Sequence, residues 1–112
     1  MRLGISITSG YPDLDGAEAV RAVVERGRVA AAAELDHLSL GDQHATGASR
    51  AYVQNVPAIG RIMADWPADR PIGLLLLVPL WHPVLAAEQI GTLAAMSDAR
   101  FIVQTGIGHG PD

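Results

Sequence analysis

There is no cysteine in these 112 residues, so neither a disulfide nor a thiolate nucleophile or ligand can be built. That absence is compatible with the reducing cytoplasm, the location expected here. Lysine is missing too: the eight basic residues are all arginines, set singly along a chain of net charge −4. Displacing the counterions of a nucleic acid takes a clustered positive face. None can be drawn from this spacing, so nucleic acid is not expected as a partner. Aromatics make up only 4% against 49% hydrophobic residues overall. The apolar mass is therefore mostly Ala, Leu, Val and Ile, which suits helices packed on a sheet better than an aromatic-rich β-sandwich. Long apolar runs are lacking as well. The greasiest, PIGLLLLVPLW, is about half of the ~20 residues a spanning helix requires, and prolines bound it. The opening MRLGISITSGYP has neither the apolar stretch nor the cleavage pattern of a signal peptide, so no membrane association is expected.

What is present alternates in type along one domain-sized chain. Residues 3–8, LGISIT, read as a first strand broken by Gly10-Tyr11-Pro12. Asp13 or Asp15 can cap a helix in which Val20, Val23, Val24, Gly27 and Ala31 share one face, with Gly27 letting the backbone approach a sheet closely. Residues 35–40 form the second strand. A second helix is expected over 56–65, with Asn55 as N-cap and Val56, Ile59, Ile62, Met63 and Trp66 as its packing face. Residues 72–78 are apolar throughout, the pattern of a parallel strand covered on both faces. Pro83 opens a third helix facing inward through Leu85, Ala86, Gln89, Ile90, Leu93 and Ala94, and RFIVQT is the fourth strand. Four strands alternating with three helices imply right-handed βαβ units and a parallel sheet. Periodicity leaves open whether this is a doubly wound sheet or half of an eight-stranded barrel.

In either architecture ligands bind at the carboxyl ends of the strands, and the polar clusters fall there: Thr8 and Ser9, Asp42 to His44, His82, and Thr105 to His109. Each has a plainer reading. Asp42 can form an Asx turn or a cap, His44 can be an exposed loop imidazole, and His82 can fill a turn. His37, inside a strand, reads as a hydrogen-bonded structural histidine. Trp66 and Trp81 read as packing residues, and Arg100 as the partner of a nearby acid. A metal held by Asp42, His44, His82 and His109 is not expected, since no spacing diagnostic of a metal site is present. The run GIGHG is a weak match to a dinucleotide phosphate loop, whose fingerprint also takes a following helix and an acid about 20 residues on.

LDHLSLGDQHATG, VPLWHPVLAAEQIGTLAAMSDARF and TGIGHG, in this order and spacing, resemble the N-terminal half of the luciferase-like monooxygenase family, the bacterial-luciferase-type flavin-dependent oxidoreductases. The resemblance spans nearly the whole chain. It implies an α/β fold, parallel βαβαβαβ, forming the N-terminal half of a TIM-type (β/α)8 barrel, as a single truncated domain over 1–112. It implies FMN or a deazaflavin coenzyme at the carboxyl ends of the strands, with a small organic molecule as substrate. His44 becomes the candidate for proton transfer and Asp42 the group that orients it. Gln43, Leu75, Leu76, Thr105 and Gly106 become candidate cofactor contacts, with a non-prolyl cis peptide expected within 74–77. Gln43 stands where several members of that family carry a second histidine, and Ala99 and Ile107 depart from the family pattern as well. A full member is about twice as long, so the implied enzyme is incomplete and weak or inactive as a monomer. A homodimer, or a second half supplied by another chain, would close the barrel. The alternative expectation is a non-catalytic flavin or deazaflavin binding module, or an assembly subunit that pairs through open sheet edges.

Overall fold

The computed structural model describes residues 1–44 and 47–108. In chain order it contains β1 (Gly4–Ile7), β2 (Gly10–Tyr11), α1 (Gly16–Ala32), β3 (His37–Leu40), β4 (Ala51–Tyr52), α2 (Asn55–Met63), β5 (Ile72–Leu77), a 3-10 turn (Val78–Leu80), α3 (Pro83–Ala95) and β6 (Phe101–Gly106). The main sheet has the order β1-β3-β5-β6 and every pairing in it is parallel. All four carboxyl ends therefore open onto one rim. The expected alternation of strand and helix is found, with one addition. β2 and β4 pair antiparallel as a two-residue ribbon above that rim, too short for any periodicity to reveal.

Register sorts the side chains onto two faces. Ile7, Leu38, Leu40, Ile72, Leu74 and Leu76 share the face beneath the helices and are buried. The opposite face carries Ser6, His37, Ser39, Leu75, Leu77, Ile102 and Gln104, of which Ser6 and Gln104 are exposed. β5 is thus covered fully on one side and partly on the other, not on both as its apolar run suggests. Gly73 on that second face is forced by proximity, since a Cβ there would stand 1.9 Å from the Ile102 carbonyl oxygen.

The first helix starts at Asp15, whose carboxylate accepts the Glu18 N–H while the Glu18 carboxylate accepts the Asp15 N–H, a reciprocal capping box. It ends in a left-handed turn: Glu34 takes φ 58°, Glu34 N–H reaches the Ala31 carbonyl and Leu35 N–H the Ala30 carbonyl. The buried face is Ala19, Val23, Gly27 and Ala30, leaving Val20 exposed, so the expected stripe is rotated by about one residue toward small side chains. Gly27 does serve close approach, but to α2 instead of the sheet, because a Cβ would meet Ile62 Cγ2 at 2.8 Å. That branched side chain is stiff at χ1 and cannot easily yield.

The second helix begins one residue earlier than expected and ends sooner. Gln54 is its N-cap without a side-chain bond, and Asn55 is its first residue. Buried Asn55 instead donates through Nδ2 to the Leu75 carbonyl at 2.6 Å, fastening the helix to the end of β5. In α3 only Leu93 is buried, while Ala86, Gln89 and Ile90 are half-buried and Leu85 and Ala94 are exposed, because α3 touches the sheet at its edge strand β6. His37 Nε2 is buried with no partner among the described residues, contrary to the hydrogen-bonded role expected of it. Arg100 makes no ion pair among them; its carbonyl accepts the Ile72 N–H. No helix of the described residues is long and apolar enough to cross a membrane.

Candidate functional site

β3 ends at Leu40, and Gly41 continues its line by donating to the Ile7 carbonyl. The next residue, Asp42, then turns inward and is buried. It is neither an Asx turn nor a helix cap. Its Oδ2 accepts the Leu77 N–H at 2.7 Å and the Trp81 indole N–H at 2.8 Å, from the end of β5 and the turn beyond it. A buried carboxylate is tolerated only when its lone pairs are met, and two donors on one oxygen do this. The second oxygen, Oδ1, lies 2.9 Å from His44 Nε2. That nitrogen is itself buried, and the oxygen lies off the hydrogen-bond axis, so the approach is close but imperfectly aligned. The His44 ring also stands edge-on to Trp81, with centroids 6.4 Å apart and planes at 72°.

Gln43 points the other way, toward β1. Its Oε1 accepts Thr8 Oγ1 at 2.8 Å, the Ser9 N–H at 3.1 Å and the Gly10 N–H at 2.5 Å, with Ser9 Oγ at 3.4 Å. Successive backbone N–H groups converging in this way form a nest suited to an oxygen carrying negative charge, here filled by an amide. Just beyond it, the Tyr11 hydroxyl donates to the Thr8 carbonyl and accepts from Arg26, whose guanidinium lies 5.1 Å from the ring centre. Burial pushes the Tyr11 phenol above its ordinary range, against the pull of Arg26.

These groups border a cleft of about 460 Å³ lined by Asp42, Gln43 and His44, by Ala48, Ser49 and Tyr52 from the β4 side, and by Leu75, Leu77, Pro79, Leu80, Ile107 and Gly108. This falls within the ~300–1,000 Å³ of small-molecule sites, with apolar walls and a few polar groups. A hollow of about 470 Å³ between α2 and α3 has no histidine in its lining, and a basin of about 680 Å³ at the amino ends of the strands holds Asp36, His37 and Asp69 with no histidine–carboxylate ion pair among the described residues.

Of the residues singled out in the sequence, Asp42, Gln43, His44 and Leu75 come together in this cleft. Thr105 and Gly106 end β6 immediately before Ile107 and Gly108, which line it. Leu76 points to the opposite face, 4% exposed within the helix-side core. The described peptide bonds are all trans, which corrects the cis bond expected within 74–77. His82 stands at the N-cap position of α3 without a side-chain hydrogen bond to the helix, and His109 lies outside the described residues. No group of three His, Asp or Glu among the described residues has the geometry to hold a metal. The sequence reading missed the structural part of Trp81, whose signal was an indole one turn past a buried strand, and the ribbon residues Ser49 and Tyr52, which gave none.

No family model and no curated protein matches this sequence. Solved structures do. The chain superimposes with a TM-score of 0.84 and 18% identity on the oxygenating constituent of 3,6-diketocamphane monooxygenase, a type II Baeyer-Villiger monooxygenase from the CAM plasmid of Pseudomonas putida in complex with FMN. The match covers 99% of this chain and 30% of that one. Apo-MsnO8 gives a TM-score of 0.75 and 24% identity over 94% of this chain and 32% of its own. The chain thus spans about a third of either neighbour's length. The likeness is one of fold: a parallel four-stranded sheet with three helices, half of a TIM-type barrel.

Proposed function

We propose that this chain supplies the first half of the site of a luciferase-like, flavin-dependent oxidoreductase of the cytoplasm, with FMN as cofactor and a small organic molecule as substrate. The observation that carries the reading is the pair His44–Asp42, an imidazole 2.9 Å from an anchored carboxylate at the mouth of an apolar cleft. The FMN complex of the neighbouring monooxygenase supports the choice of cofactor. The residues present fit the flat ring of such a group: Leu75, Leu77, Pro79, Leu80 and Ile107 supply apolar walls, and Gln43 and Ser49 a polar edge. No arginine borders this cleft among the described residues, so a phosphate tail would be held by other parts of a barrel.

A bound flavin supplies two-electron redox chemistry. The chain's own residues do the rest. The leucines exclude water from the reacting edge. His44 takes up or returns a proton through Nδ1, the nitrogen away from Asp42. Asp42 holds the ring in place and balances its charge when it is protonated.

The test is flavin binding followed by turnover. FMN fluorescence should be quenched on adding the protein, and oxidation of NADH should be lost in His44→Ala while FMN binding persists. Failure to bind either FMN or a deazaflavin would overturn the reading. A second reading, a non-catalytic flavin-binding or assembly module, is favoured by β1 and β6 each pairing on one side only among the described residues. Its signature is cofactor bound without turnover in a discrete dimer.

A further inference from the structure

We infer that Trp81 is a positioning residue that fixes which nitrogen of His44 carries the proton, acting through Asp42. Three links make the chain: the Trp81 indole N–H donates to Asp42 Oδ2 at 2.8 Å, Asp42 Oδ1 lies 2.9 Å from His44 Nε2, and the Trp81 ring meets the His44 ring edge-on. Nε2 is buried and forms no aligned hydrogen bond among the described residues, which leaves Asp42 Oδ1 as the charged group beside it. Without a proton, the electron-rich nitrogen would stand 2.9 Å from a carboxylate oxygen, a repulsive contact even off the axis because both atoms are shielded from water. The proton therefore sits on Nε2, and Nδ1 on the far edge of the ring is left as the acceptor. This arrangement persists only while Asp42 keeps Oδ1 toward the ring. The Leu77 N–H alone holds Oδ2 at one point, and the indole supplies the second. A wholly apolar ring at 81 keeps part of the packing but offers no N–H, which leaves the carboxylate free to rotate.

The functional consequence rests on His44 being the proton carrier, but the tautomer is read without turnover. In 15N-labelled protein, at a pH where free imidazole is neutral, long-range 1H–15N correlations distinguish the two nitrogens, and His44→Gln assigns them among the four histidines. The parent should show the Nε2–H form. Trp81→Phe should show a mixture of both forms, with an unchanged circular dichroism spectrum. Asp42→Asn, the variant that needs no change at Trp81, should invert the pattern to Nδ1–H. The Leu77 and Trp81 donors claim the amide oxygen and leave its NH2 facing Nε2. A parent with Nδ1–H, a Trp81→Phe protein with the parent pattern, or an Asp42→Asn protein with it would each overturn the inference. Tautomers that shift as expected while turnover survives His44→Gln would sink the proton-carrier role and leave the positioning role standing.

Discussion

Gln43 shows how one side chain in this site does two jobs. Its neighbours in sequence, Asp42 and His44, face the cleft and each other, whereas its amide oxygen crosses to β1 and collects the Ser9 and Gly10 N–H groups and the Thr8 hydroxyl. Ser9 is fully buried, so its N–H has no ready exchange with solvent if that oxygen is removed. Gln43→Ala should therefore cost about 1–3 kcal/mol, the desolvation penalty of donors left unmet, as measured by urea unfolding. Gln43→Glu keeps an acceptor in place and adds charge. Bonds to a carboxylate hold its folded pKa below the unfolded value of about 4.3. The variant should therefore be at least as stable as the parent at neutral pH. A depressed carboxylate pKa contributes stability that is present above the unfolded value and is lost as the pH falls through the folded one. The gain should vanish in acid. A Gln43→Glu protein weaker than the parent at pH 7 would mean that the nest does not favour an anion.

Among the elements, those whose signal is local were legible before the structure. The capping residue Asp15, the apolar run of β5 and the prolines bounding α2 and α3 place the main strands and helices to within a few residues. What could not be read depends on distant partners. Asn55 looks like a cap because its type and position fit one, but the Leu75 carbonyl, 20 residues on, claims its amide. Which face of α1 is buried turns on Ile62 and the need for small residues opposite it. In the site, the acid and histidine after β3 announce themselves by type, while the anchoring of Asp42 by Leu77 and Trp81 spans 35 and 39 residues and leaves no mark on local pattern. The end of α1 shows the same limit. Glu34 stands at φ 58° where glycine is usual, with nothing in its neighbourhood to announce it. A residue with a Cβ pays about 1–2 kcal/mol in that conformation, and glycine gives part of this back through the freedom of the unfolded chain. Glu34→Gly should stabilise the protein by about 0.5–1 kcal/mol in thermal or denaturant unfolding. A loss of stability would show that the glutamate makes a compensating contact.

At the scale of the whole molecule the open feature is the sheet's border. Among the described residues β1 and β6 each have one hydrogen-bonded neighbour, and Ser6 and Gln104 lie exposed on the face away from the helices. Unpaired strand edges are templates for further pairing, so this 112-residue chain should associate as its concentration rises. The direction of the backbone groups on β6 can be worked out. Ile72 donates to the Arg100 carbonyl. In a parallel ladder alternate residues serve one neighbour, so Arg100, Ile102 and Gln104 bond to β5 while Phe101, Val103 and Thr105 turn their N–H groups to the open side. Proline at one of the latter removes a donor from the free edge without breaking a bond to β5. Thr105 is the right position, since it is exposed, whereas Phe101 and Val103 pack against the core. Sedimentation velocity over a concentration series should show the parent shifting to larger species and Thr105→Pro remaining smaller at matched concentration, with helix content preserved. Equal association by the two proteins would rule out pairing along β6 and leave β1 or the exposed sheet face as the contact.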